Sequence, residues 1–413
     1  IFRRNAMTAT IQLSRDTHVF IGKGTTYWKI PVLDGFSFSQ ATSTTEVTLN
    51  EMQEGTSGAS NRGRSMFTNA LEPAEWSFST YARPTLESTK HTAVEEVLWA
   101  HFFGASTWND TSDEWTPAAV STTRSSNMAI TSAQSDLAEL GTFDVYFVLG
   151  GCAPGATPAT YASSAGQTIY KLSGCVVNTA GIDFDIDGIT TINWSGFGTE
   201  IEQLASLDMS GVSGRLGYAG SSSTSNFLRN RITSLSLRPD TDGDQVFGEA
   251  GDLDQDGDAA TGTAGGVAGD DFQTEYHLTL TGGSINFENN ITFLTPEELC
   301  KVNTPIGHIT GTRNISGSFS CYLNDDDVGV TGARSAAFFE DLAANKTMTR
   351  NKFNVKFTIG GASAPNLVVE FPGCHVDIPT HQIEDVISLE TAFHALPSSI
   401  TSADEVTLTY TGA

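Results

Sequence analysis

Hydrophobic and polar residues alternate over short stretches through most of the chain, and the alternation predicts strands joined by turns. Strand-like stretches open at Ala9 to Leu13 and Thr17 to Ile21, and further candidates follow at Ile232 to Leu237 and Thr274 to Leu280. The pattern changes at Thr92 to Phe103, where Val94, Val97, Leu98 and Phe102 recur at helical spacing and Gly104 supplies the stop. From Ile182 to Asp187 the alternation is unbroken: Ile182, Phe184 and Ile186 fall on one strand face, and Asp183, Asp185 and Asp187 on the other. Three carboxylates in a row repel one another unless water screens them, so that face is expected to meet solvent or a metal. A channel wall and an ordinary outer surface both satisfy the requirement.

The same pattern occurs twice. Leu33 to Phe38 matches Leu280 to Ile285, Trp76 to Tyr81 matches Gly317 to Tyr322, and the helix at Thr92 to Phe103 matches Ala333 to Asn345. Phe143 to Gly151 then matches Phe353 to Gly361, and Leu172 to Val177 matches Phe371 to Val376. Five matches in one order indicate a duplicated β-rich unit. The expected organisation is an N-terminal extension over 1–7, a first unit over 8–204, a linker over 205–230 and a second unit over 231–413 with an insert at 239–271. Residues Ile1 to Ala6 precede Met7 and read as an upstream extension or a processing remnant. The stretch Asn50 to Glu75, rich in Gly, Ser, Asn and charge, reads as a long hairpin excursion, and loops of that length usually serve contacts.

Composition narrows the function. The 413 residues carry a formal net charge of −26, which argues against a protein that grips nucleic-acid phosphates and is compatible with a surface along which they slide. An acidic excess also keeps an abundant assembly subunit soluble. Five cysteines, Cys152, Cys175, Cys300, Cys321 and Cys374, lack CxxC spacing and read mostly as small buried residues. No apolar run approaches the roughly 18 residues that span a bilayer, and the N-terminus shows no secretory apolar region, so no membrane partner is expected.

Candidate chemistry is sparse. Asp252, Asp254, Asp256, Gly257 and Asp258 form a DxDxDG run like the opening of a calcium loop, but Thr263 stands where the closing bidentate Glu belongs. A solvated acidic loop is preferred to bound Ca²⁺, and no other cofactor is expected. Local signatures of nucleophilic catalysis, HExxH and a P-loop are all missing, and the scattered histidines, His375 and His394 among them, read as structural. No catalytic residue is assigned. Trp76, Phe78, Tyr81, Phe319 and Tyr322 lack interleaved Lys or Arg, so core packing is preferred to base stacking.

The motifs Glu75 to Tyr81, Ile192 to Gly196, Asn289 to Pro296, Pro305 to Gly307 and Ser316 to Asp325 resemble the major tail tube proteins of long-tailed phages, in the subgroup with two tube domains fused in one chain. Two departures stand out: the acidic insert is private to this chain, and the sequence ends near Ala413 without the immunoglobulin-like decoration of some relatives. The resemblance implies a mainly β protein of two tandem sandwich-like, barrel-forming domains, each flanked by one helix. It further implies homotrimeric rings of pseudo-sixfold symmetry that stack into a tube in the virion tail, with the tape-measure and other tail proteins as partners and viral DNA passing through unbound. Six units of about four strands, ~4.8 Å apart and tilted roughly 45°, enclose a backbone diameter of about 50 Å. Inward side chains leave around 40 Å, enough for a duplex about 20 Å wide. On this reading Asp183, Asp185 and Asp187 are candidates for the lumen lining, and Asn50 to Glu75 for the contact between rings. The alternative is a calcium-binding extracellular adhesion module, suggested by DxDxDG and repeated β-domains.

Overall fold

The structure, a computed structural model, describes residues 12–47, 65–105, 107–109, 114–116, 124–132, 140–150, 160–216, 225–240, 276–324, 335–344, 352–383, 385–399 and 402–413. Outside the described residues lie the extension 1–7, Cys152, residues 48–64 of the expected excursion and nearly all of the insert, including Asp252, Asp254, Asp256 and Asp258.

The first half contains β1 (His18–Lys23), β2 (Thr26–Ile30), β3 (Ser37–Val47), β4 (Ser65–Tyr81), α1 (Glu96–Phe102), β5 (Phe143–Leu149), β6 (Thr168–Asp185), β7 (Thr191–Gly198) and β8 (Glu200–Leu204). The second contains β9 (Ser234–Pro239), β10 (Tyr276–Leu278), β11 (Leu280–Glu288), β12 (Asn314–Tyr322), α2 (Ser335–Ala344), β13 (Phe353–Ile359), β14 (Asn366–Val376), β15 (Thr380–Ile383), β16 (Ile387–Ala395) and β17 (Thr407–Thr411). Shorter strands fill the connections.

Strand pairing reproduces the duplication. In the first half β2 pairs β1, β1 pairs β5, β5 pairs β6, and β6 pairs both β8 and β7, after which β7 pairs β4 and β4 pairs β3. The second half repeats each step as β10–β9–β13–β14, with β14 pairing β17 and β16, then β16–β12–β11. Even the local irregularity is shared: the ladder slips after Phe143 opposite Cys175 and after Phe353 opposite Cys374. One difference is instructive. β6 runs unbroken for 18 residues and bends at Gly174, whose φ of +59° suits glycine. Its counterpart is split into β14 and β15, with β15 keeping the pairing to the next strand.

The halves join edge to edge. The C-terminal part of β6 pairs antiparallel with β11, from Thr179 opposite Glu288 to Asp185 opposite Gly282. A continuous sheet results, ordered β3–β4–β7–β6–β11–β12–β16 and ending on β14 and β15. Its apolar face carries Phe78, Trp194, Ile182, Ile285, Phe287, Phe319 and Phe393, all buried. Beneath the junction lies α1, with every residue buried, because its 3.6-residue repeat has apolar neighbours on both sides. Trp99 packs 4.7 Å from the Trp194 ring and 5.0 Å from Phe287, and its Nε1 donates to the Tyr410 hydroxyl of β17 at 2.8 Å. Glu96 accepts from Arg124 at 2.7 and 2.9 Å and from Trp115 Nε1 at 2.9 Å. Met128–Thr131 extends the second half by pairing β17. One apolar core therefore serves both halves.

Several boundaries differ from the sequence expectation. The helix begins at Glu96, because Lys90–Ala93 pairs with Pro84–Glu87 as a hairpin. Ile232 closes a short 3-10 turn, and the strand starts at Ser234. The excursion expected over Asn50 to Glu75 is strand from Ser65 onward. The linker expected over 205–230 is largely packed structure: Ser206–Asp208 pairs Thr160–Ala162, Ser213–Arg215 runs parallel to β2, and Leu207, Met209 and Leu228 are buried. Those apolar residues are isolated among Gly and Ser, so the stretch lacks periodicity yet still anchors. Cys175, Cys321 and Cys374 are buried, whereas Cys300 is exposed.

Candidate functional site

The opposite face of the continuous sheet is polar across all its strands. It follows from period-two alternation: most apolar residues that point to the core are flanked by Ser, Thr, Asn or a carboxylate pointing away. Neighbouring strands then stack these small side chains in rows. Ser37 Oγ lies 2.8 Å from Ser77 Oγ, and Thr179 Oγ1 lies 2.6 Å from Ser195 Oγ. Ser79 Oγ donates to Asn193 Oδ1 at 2.7 Å, and Asn193 Nδ2 donates to Asp183 Oδ2 at 2.9 Å. These hydroxyls and amides thus engage one another along the wall.

Charge on this face is of one sign. The stretches 37–47, 65–81, 175–185, 191–198, 280–288, 314–322 and 366–395 contain neither Lys nor Arg, and Glu75, Asp183, Asp185, Glu288 and Glu390 are among their carboxylates. Lys171 sits in the N-terminal half of β6, away from the junction, between Asp144 at 3.4 Å and Glu202 at 3.3 Å. A shallow polar trough follows the β6–β11 seam, lined by Thr179, Asp183, Asn193, Asn286, Glu288 and Ser316. Such a surface presents an anion with carboxylates and no Lys or Arg from these stretches, while solvating cations and water.

The structure separates the three aspartates singled out by alternation. Asp183 and Asp185 share the exposed face of β6. The strand stops at Asp185, whose Oδ1 accepts the Ile186 N–H at 2.7 Å, and Asp187 falls in the following turn, 2.7 Å from Arg231 Nη2. His375 and His394 stand opposite each other across β14 and β16, both exposed on the polar face rather than enclosed in the core. Asp377 lies 3.5 Å from His375 Nε2. Of the aromatic stripe, Trp76, Phe78 and Phe319 are buried and Tyr322 is exposed. Among the described residues no three His, Cys, Asp or Glu side chains are grouped to hold a metal ion. Nor is any described helix long and apolar enough to cross a membrane.

The sheet ends on two open edges. Among the described residues β3 pairs only β4, and β15 pairs only β16. These edges are the duplicates of the two strands that meet inside the chain, since β3 corresponds to β11 and β15 to the end of β6. Ile383 on β15 is 79% exposed, whereas Phe184, its counterpart on β6, is 5% exposed under β11. Sequence reasoning missed these edges because an edge is defined by pairing, which no single stretch displays.

Residues 14–411 match the family model described as phage tail tube protein. The chain is 26% identical over 411 residues to the tail tube protein pb6 of Escherichia phage T5, covering 96% of this chain and 75% of that one. A sheath/tube terminator of an extracellular contractile injection system matches 48% of this chain at 10% identity and a TM-score of 0.28, too slight a likeness to argue from.

Proposed function

We propose, on the premise that this chain belongs to the phage tail tube protein family, that three copies close into a pseudo-sixfold ring and that stacked rings form an acidic-walled conduit for viral DNA. The chain is a structural, non-enzymatic component of the virion tail. Its two halves, 8–204 and 231–413, act as successive tube units.

The observation that carries this reading is the β6–β11 seam, which supplies a pattern for the seam between chains. Exposed strand edges are normally blunted or covered, and β3 and β15 are the edges left over when the pattern is used once. Transferring the internal register places Gln382 of one copy opposite Ser37 of the next, as Asp183 stands opposite Ser284. Ring closure then covers Ile383 as β11 covers Phe184. With β14 and β15 counted as one strand, eight strands per chain give the 24 that a bore about 40 Å wide requires.

The polar face lines that bore in this arrangement, with Asp183 and Asp185 on the wall and Asp187 at its rim. Duplex DNA meets hydroxyls, amides and carboxylates, and keeps its own counterions because no fixed cation displaces them. The tip of the β3–β4 hairpin contacts the adjacent ring, and tape-measure and other tail proteins are the remaining partners. Nothing in this reading calls for a cofactor; the Asp252, Asp254, Asp256 and Asp258 run serves as a solvated acidic loop.

A cysteine pair tests the seam. Facing residues of antiparallel strands have Cα atoms about 4.5–5.5 Å apart, within disulfide range. In a Cys300→Ser background, Ser37→Cys combined with Gln382→Cys is expected to give covalent dimers and closed trimers on mild oxidation of assembled tubes. Tubes that form normally and yield only monomers after oxidation would contradict it.

A further inference from the structure

In the first half, two residues of polar-face parity are screened from water, Val176 fully and Phe197 in part. Val176 on β6 and Phe197 on β7 stand opposite each other, and the hairpin Thr292–Leu294 with Gly307–Ile309, between β11 and β12, folds back over them. The Phe293 ring lies 6.1 Å from Phe197 and 5.7 Å from His308. His308 is buried, and its Nε2 accepts the Leu140 N–H at 2.9 Å. Val176, Leu140 and Ile291 complete a small dry cluster. The second unit's hairpin thereby latches onto the first unit's sheet.

The duplicate of this seat is open. His375 corresponds to Val176 and His394 to Phe197, in the same cross-strand register, and both histidines are exposed. The duplicate of the latch is the β3–β4 hairpin, and it too is uncovered: Met66 is 56% and Phe67 is 61% exposed. Phe67 stands nine residues before Trp76, as His308 stands nine before Gly317. The covered seat sets Phe197 against Phe293, which in turn lies against His308, whereas the open seat has His394 at the place of Phe197 and the uncovered hairpin has Phe67 at the place of His308. An aromatic ring against an imidazole is a favourable pair in either order.

We propose that Phe67 docks on the His375–His394 pair of a second copy of this chain, latching each ring seam outside the strand pairing. The inference rests on the ring reading above and deepens it. The occupant is fixed by continuity: the copy whose β3 extends β15 carries its own β3–β4 hairpin across β14 and β16, as the second unit's hairpin crosses β6 and β7 within one chain.

The test uses full-length protein in the Cys300→Ser background and two cysteine pairs in parallel. Phe67→Cys with His394→Cys is treated with a short bismaleimide, alongside the oxidised Ser37→Cys and Gln382→Cys pair. Cross-linking of both pairs between chains is the expected result. Cross-linking of Ser37→Cys and Gln382→Cys alone overturns the latch and leaves the ring standing; failure of both overturns both. Separately, Phe67→Ser is expected to leave the melting of the unassembled chain unchanged and to weaken association about tenfold, the scale for truncating a central aromatic contact. Unchanged association would overturn the latch.

Discussion

Trp76 on β4 lies directly opposite Gly196 on β7, and its ring occupies the space a side chain there would need: a Cβ on Gly196 would stand 2.5 Å from Trp76 Cζ2 and 2.0 Å from the Val176 carbonyl. The second half makes the same contact with the sizes reversed. Gly317, the counterpart of Trp76, lies opposite Phe393, and its Cβ would stand 2.5 Å from Phe393 Cζ. Close packing fixes the summed volume of such a pair while leaving open which strand supplies it.

Gly196→Ala is therefore expected to destabilise the chain by about 1–3 kcal/mol through overpacking, with a lower melting temperature. Gly317→Ala is expected to cost at least as much, since its Cβ would also stand 2.4 Å from the Ser284 carbonyl, and combining it with Phe393→Ala is expected to cost less than the two losses summed. A double-mutant cycle by thermal denaturation checks this, and additive losses would argue against a shared space.

The ion pair that holds α1 is a second test. Arg124 and Glu96 are both buried and joined by two hydrogen bonds, so Arg124→Ala strands a carboxylate in the core. A loss of about 3–5 kcal/mol is expected in denaturant unfolding. A loss below about 1 kcal/mol, the range of exposed pairs, would contradict this placement.

Glu95, just before α1, gives a pH dependence. Its burial pushes the carboxyl up from 4.5 to about 7, against the opposing pull of its own backbone, Tyr410 and Arg83. The fold favours the protonated form, so this contribution is complete below pH 4.5 and is lost as pH rises through about 7. Relative to Glu95→Gln, the unaltered chain is expected to lose on the order of 1–3 kcal/mol between pH 5 and pH 8. Melting curves that stay parallel across that window would contradict it.

The wall predicts a transport effect. Asp183→Lys with Asn286→Lys leaves the buried face intact, so tubes are expected to assemble. DNA ejection from virions carrying the variant should be slowed, and slowed further at low salt where phosphate contacts strengthen. Ejection at the normal rate at every salt concentration would place these residues outside the bore.

Much of the repeat was legible in local sequence because each matched stretch is a strand or helix whose periodicity survives on its own. Phe143 and Phe353 even mark the same ladder slip. What alternation cannot carry is where a strand stops: Asp187 continues the pattern in letters, yet the chain turns after Asp185 and pairs Asp187 with Arg231. Nor can it show pairing between distant strands. The β6–β11 seam, the volume exchange at Gly196 and Gly317, and the open histidine seat exist only once registers are fixed. Leu207, Met209 and Leu228 anchor a stretch that reads as a linker because isolated apolar residues have no period.

The claim on which the rest depends is that β15 of one copy pairs with β3 of the next, and cryo-electron microscopy of assembled tubes tests it most directly. A wall of 24 strands is expected, with Gln382 facing Ser37 across each seam between chains and Asp183 pointing into the bore. A tube in which β3 and β15 remain unpaired, or in which Asp183 faces outward, would contradict the account.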